Sequence, residues 1–164
     1  MTTKKIAYLG LLIALAFVFS YVEFLIPINL GVPGAKLGLA NLVIIVALYT
    51  LGEREAFLLS MIRIVLVGFT FGNMASMLYS LAGGILSFAV MVLAKKMKLL
   101  SVTGVSVLGG VFHNVGQIIV AIFVVETASL IYYLPVLILA GTLAGVAIGV
   151  LGAMVTKRIG KIWM

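Results

Sequence analysis

Three hydrogen-bonding side chains sit in the middle of an apolar run in this sequence, in GGVFHNVGQIIV (residues 109–120). His113 and Gln117 are four residues apart and Asn114 and Gln117 three, so on a helix all three share one broad face. No charged residue falls between Lys98 and Glu126. Arg63 is more costly still, lying eight residues from Glu55 and eight from Phe71 and therefore near the middle of its own apolar segment. An Arg at that depth in a bilayer costs about 2.5 to 3.5 kcal/mol on insertion scales. It must face the interior and be satisfied there, either by an internal bridge to Glu23 or a carbonyl, or by an anionic ligand. Asn73, Ser76 and Tyr79 lie in the outer half of a neighbouring segment, and Lys36 and Asn41 follow the one long connection. Together these residues form a candidate ligand-binding set: Arg63, His113, Asn114, Gln117, Asn73, Ser76, Tyr79, Lys36 and Asn41. Cationic and amide groups in an otherwise apolar setting suit a small anionic or strongly hydrogen-bonding ligand with an apolar portion.

The chain that must position them is 65% hydrophobic and 9% charged, with a mean hydropathy of +1.38. A soluble domain of 164 residues cannot hide so much apolar surface, so the composition predicts an all-α integral membrane protein in contact with lipid. Six apolar segments stand out, at about 6–26, 37–51, 56–71, 74–94, 102–125 and 130–155. They are read as six transmembrane helices of a single domain covering 1–164, although the second and third fall short of the roughly 20 residues a crossing needs. The first is too long and too poorly followed by a cleavage site for a removable signal peptide.

Net charge is +7, but the basic residues follow topology and do not mark a nucleic-acid surface. With the N-terminus in the cytoplasm, Lys4, Lys5, Arg54, Lys95, Lys96, Lys98, Lys157, Arg158 and Lys161 all fall on the inner side, whereas Lys36 alone falls outside. This asymmetry places both termini in the cytoplasm. Residues 27–36 (PINLGVPGAK) carry two prolines and two glycines, which exclude a regular helix. They serve either as a plain connector or as a lid over an outward-facing site.

Small residues mark packing faces. Gly141, Gly145 and Gly149 recur at steps of four, and such a face joins another helix of this chain or of a second copy. Gly83 and Ser87 are read as helix packing. Tyr132, Tyr133 and Trp163 fit interfacial anchors.

Several chemistries are missing. The chain has no Cys, hence no disulfide or thiolate metal site, and no Asp. It has one His, no HExxH and no P-loop, and Glu53 and Glu55 lie at the cytoplasmic surface. The expectation is a binding protein with no catalytic residues, no metal and no cofactor.

At GAKLGLAN (34–41), YSLAGG (79–84) and GGVFHNVGQ (109–117) the chain resembles the bacterial family labelled Gx transporter, or heptaprenyl diphosphate synthase component I. That family is similar to the substrate-binding S components of energy-coupling-factor (ECF) transporters, six-helix proteins of the cell membrane with both termini inside. The resemblance implies a nutrient-like ligand taken from outside, and as partners a transmembrane coupling subunit and two ATPases. It also implies docking through small residues of the first helix, where Gly10 and Ala14 stand in for the usual alanine pair. The synthase label implies instead a link to isoprenoid or quinone metabolism. Trans-type prenyl synthases hold magnesium diphosphate on aspartate-rich motifs, and a chain without Asp cannot be their catalytic subunit.

Overall fold

The computed structural model describes residues 3–26 and 38–163, with side chains through residue 159. Six α-helices follow one another: α1 (Thr3–Leu25), α2 (Leu39–Thr50), α3 (Glu53–Thr70), α4 (Met74–Met97), α5 (Val102–Val125) and α6 (Leu134–Trp163). A 3-10 turn, Ala128–Tyr133, leads into α6, so Tyr132 and Tyr133 precede that helix and do not open it. The expected segments fall on these helices, and among the described residues no strand forms. Four stretches are long and apolar enough to span a membrane: Thr3–Leu25, Met74–Met97, Val102–Val125 and Ala128–Ile159. The 12 residues of α2 rise only about 18 Å, against a hydrocarbon core of about 30 Å. The 18 residues of α3 carry Glu53, Arg54, Glu55 and Arg63, which lower its hydropathy.

The helices close into a ring in the order α1, α3, α4, α5, α6, α2, with α2 also touching α3. Helix α5 makes the most extensive contacts, with α6 on one side and α4 on the other, and glycines explain how closely the backbones approach. A Cβ on Gly141 would lie 2.8 Å from the Gly110 carbonyl oxygen, one on Gly145 2.6 Å from the Val107 Cα, and one on Gly149 2.6 Å from the Thr103 Cα. As α6 runs up the series, α5 runs down it, so the glycine face joins two antiparallel helices of the same chain. Against α4, a Cβ on Gly83 would meet the His113 carbonyl oxygen at 2.6 Å, and Ser87 Oγ donates to the Gly109 carbonyl at 2.8 Å. Both residues therefore pack helices, as their spacing predicts.

Outward surfaces are apolar. Phe69, Phe123, Leu93, Leu143 and Leu11 are all exposed, which is tolerable only where lipid covers them. Helix α2 is the exception, with Ala40 and every residue from Val43 to Leu48 buried. Its two ends are held by charges from other helices. Glu23 Oε1 of α1 accepts the Leu39 N–H at 2.7 Å, and Lys95 Nζ of α4 donates to the Leu48 carbonyl at 2.7 Å, its ammonium 5.1 Å from the centre of the Tyr49 ring. Each sign matches the helix macrodipole at the end it caps, and each satisfies a backbone group that a short buried helix would otherwise orphan.

Two ion pairs, Lys5–Glu55 and Lys96–Glu53, link the α3 N-terminus to α1 and α4. Both acids stand in the first turn of α3, where the dipole favours them. The Lys5 ammonium, hydrogen-bonded to Glu55, holds that carboxyl below its ordinary range. The N-terminus of α1, the α2–α3 turn and the C-terminus of α4 thus share one end of the bundle, as the distribution of basic residues requires.

Candidate functional site

Helix α5 supplies one wall of a central cavity. Ser106, Gly109, Gly110, His113, Asn114 and Gln117 follow each other at helical spacing along it, and Ser80 and Ser87 of α4, Gly141 and Gly145 of α6 and Asn41 of α2 face them. The cavity is small, with a volume of about 70 Å³. His113, Asn114 and Gln117 share this wall as the spacing predicts. Asn114 also holds helices together, because its Nδ2 donates to the Leu137 carbonyl of α6 at 2.7 Å in a buried clasp. A Cβ on Gly141 would lie 2.9 Å from that amide nitrogen, so the glycine makes room for the bond. On the α4 side, a Cβ on Gly83 would meet Gln117 Cγ at 2.9 Å.

Arg63 lines this cavity from α3 and also lines a second, roomier one of about 210 Å³ between α1, α3 and α4. Its NH1 donates to Ser20 Oγ at 3.4 Å, a weak bond to a hydroxyl that itself donates to the Ala16 carbonyl at 2.9 Å. Its Nε is buried and has no hydrogen-bond partner. Among the described residues no carboxylate forms an ion pair with it. Glu23 acts on it electrostatically and lines both cavities, but spends Oε1 on the α2 N-terminus. Among the described residues, then, Arg63 and Glu23 interact through their charges without a direct ion pair.

The second cavity adds Ser20, Phe24, Ile64, Val67, Phe71, Met77 and the candidate residues Asn73 and Ser76. Those two also form the capping box of α4: Asn73 Oδ1 accepts the Ser76 N–H at 2.8 Å and Ser76 Oγ accepts the Asn73 N–H at 3.0 Å. Tyr79 lines neither cavity. Lys36 and the 27–36 connection lie outside the described residues. Gly10 and Ala14 are exposed on α1, away from both cavities, and no atom approaches the place where a Gly10 Cβ would stand. Among the described residues, no group of three His, Cys, Asp or Glu is placed to hold a metal ion.

Sequence reasoning left out Ser106, Ser80, Ser20 and Glu23 as lining residues. Ser106 could have been found, since it lies seven residues before His113 and so on the same helical face. Glu23 carried a signal of its own, an acid in an apolar helix. Only the fold shows that it faces Arg63 and the start of α2 together.

These features define a multi-pass, all-helical membrane protein whose helices enclose polar, partly buried cavities. Residues 12–155 match the family described as heptaprenyl diphosphate synthase component I, and the chain belongs to that family. No curated protein and no solved structure matches it.

Proposed function

We propose that this protein is the substrate-binding component of an ECF-type importer in the bacterial cell membrane. It takes a small anionic or polar-headed ligand from the outer face and has no enzymatic activity. One observation carries the reading: a guanidinium with a buried, unpartnered Nε stands on the wall of two cavities with no acid paired to it. A bilayer-embedded cation is retained against its insertion cost when it does something, and an anion supplied from outside would complete its hydrogen bonds. His113, Asn114, Gln117 and Asn41 then offer polar contacts on the central side. The chain acts as one transmembrane domain with both termini cytoplasmic, and the exposed Gly10–Ala14 face of α1 docks the coupling subunit, whose ATPases drive uptake.

The family's name supports a second reading, a non-catalytic membrane subunit that anchors or assists a prenyl diphosphate or quinone-precursor synthase. Purified protein in nanodiscs distinguishes the two. Stabilisation by a small anion that Arg63→Ala abolishes, with folding intact, is the expected result. Absence of any anion binding, together with co-purification of a soluble prenyl synthase, would establish the second reading instead.

A further inference from the structure

The two cavities meet at Arg63, Glu23 and Ser80, and their linings differ in balance. The central one presents His113, Asn114, Gln117 and Ser106 between glycines, with Ile45, Met91 and Ile148 beside them. The α1–α3–α4 cavity carries Ser20, Asn73 and Ser76 but adds Phe24, Ile64, Val67, Phe71 and Met77, and Phe71 is itself ringed by Phe17, Tyr21 and Phe24 at centroid distances of 5.5, 5.5 and 5.2 Å. Among the described lining residues of both cavities, Arg63 is the one Lys or Arg and Glu23 the one acid. Glu23 acts on Arg63 electrostatically, but its Oε1 is engaged by the Leu39 N–H and among the described residues it forms no ion pair with the guanidinium.

The charge balance follows. One negative charge placed on Arg63 completes the guanidinium's hydrogen bonds. A second has no further Lys or Arg among those lining residues to meet it and adds to the negative charge that Glu23 already sets beside Arg63, across a weakly screened interior. The apolar, aromatic half of the site starts at the same guanidinium.

Resting on the reading that the protein binds a small ligand, we propose that this ligand is an amphiphilic monoanion. Its carboxylate-type head lies on Arg63 and its apolar portion occupies the α1–α3–α4 cavity. Glu23 is the specificity-determining residue that rejects heads carrying two or more charges. A diphosphate head is thereby disfavoured, whatever the family's name implies about prenyl diphosphates.

The test uses the full chain in phosphatidylcholine nanodiscs with radiolabelled decanoate as probe and decyl phosphate, decanol, acetate and succinate as competitors. Decanoate is expected to bind and to outcompete the other four. Arg63→Gln should weaken it about tenfold or more, the loss of one charge-assisted hydrogen-bonded contact. Val67→Phe, which fills the apolar cavity, should weaken decanoate at unchanged melting temperature, and Arg63→Lys should retain part of the affinity. Glu23→Gln keeps an oxygen for the Leu39 N–H and should shift the preference toward decyl phosphate about tenfold. Decyl phosphate winning on the wild type, or decanol competing as well as decanoate, overturns the proposal. Acetate or succinate binding that depends on Arg63, with decanoate inert, overturns it while leaving the substrate-binding function standing. If no anion binds in an Arg63-dependent way, both fall.

Discussion

Replacing Arg63 with Met separates the two explanations of a membrane-embedded arginine. If Arg63 held the bundle together through an ion pair, removing it would strand a buried carboxylate and cost about 3 to 5 kcal/mol. Among the described residues no carboxylate is ion-paired with it, and its NH1 bond to Ser20 Oγ is 3.4 Å long. Losing that bond costs about 0.5 to 1.5 kcal/mol at most, and Ser20 Oγ is not orphaned because it still donates to the Ala16 carbonyl. Glu23 likewise keeps its bond from the Leu39 N–H. The ligand-free variant is therefore expected to lose no more than about 1.5 kcal/mol. Reversible unfolding by sodium dodecyl sulfate in mixed micelles, followed by circular dichroism, measures the difference. A loss of about 3 kcal/mol or more would refute the assignment of Arg63 to function and return it to structure.

Gly145→Leu should disrupt the α5–α6 contact, because even a Cβ would sit 2.6 Å from the Val107 Cα; a fall of at least about 1 to 3 kcal/mol is expected in the same assay. Gly10→Leu meets no atom and should leave stability within about 0.5 kcal/mol while weakening capture of a coupling subunit in a pull-down. Asn114→Ala removes the clasp to Leu137 and should lower stability by about 0.6 to 1.7 kcal/mol, the range for hydrogen bonds between membrane helices, in both the presence and the absence of ligand. The Lys5–Glu55 contact gives a pH signature. The folded-state carboxyl titrates below its ordinary value of 4.5, so the contact's contribution is present above that value and lost as pH falls through the lower folded-state value. Melting curves of wild type and Glu55→Gln between neutral and acid pH should converge at the acid end.

Helix positions were legible in the sequence because apolar runs, prolines and charges punctuate them directly. The crossing number was not: α2 reads as a span by hydropathy, yet its twelve residues rise only about 18 Å and are buried on nearly every side. Nothing local distinguishes a short membrane segment from a buried core helix, since both are apolar all round. What marks α2 is the pair of charges that cap it, and these come from residues 16 and 47 positions away in the chain. The α5 half of the site was legible for the opposite reason. His113, Asn114 and Gln117 belong to one helix, whose period alone puts them on one wall. Arg63 could be placed only by depth, and its two cavities and its relation to Glu23 required the fold. Asn73 and Ser76 carry two roles that the sequence does not separate, because both start α4 and both line the second cavity.

Helix α5 shows how one sequence meets two demands. Gly109 and Gly116 bring its backbone against α4, and Gly110 brings it against α6. Such close packing leaves little room for side chains along either contact. The polar residues between those contacts are therefore confined to the strip that faces neither helix squarely, and that strip is the cavity wall. Larger residues at the glycine positions would push α4 and α6 away and turn His113 and Gln117 toward a wider, wetter space. Substituting the glycines should consequently alter ligand affinity through geometry even where no glycine touches the ligand. Gly83→Ala is the sharpest case, since its Cβ would press on the His113 carbonyl and Gln117 Cγ together. Its expected signature is a loss of Arg63-dependent anion binding larger than its loss of melting temperature, and equal losses would reduce α5 to a packing element.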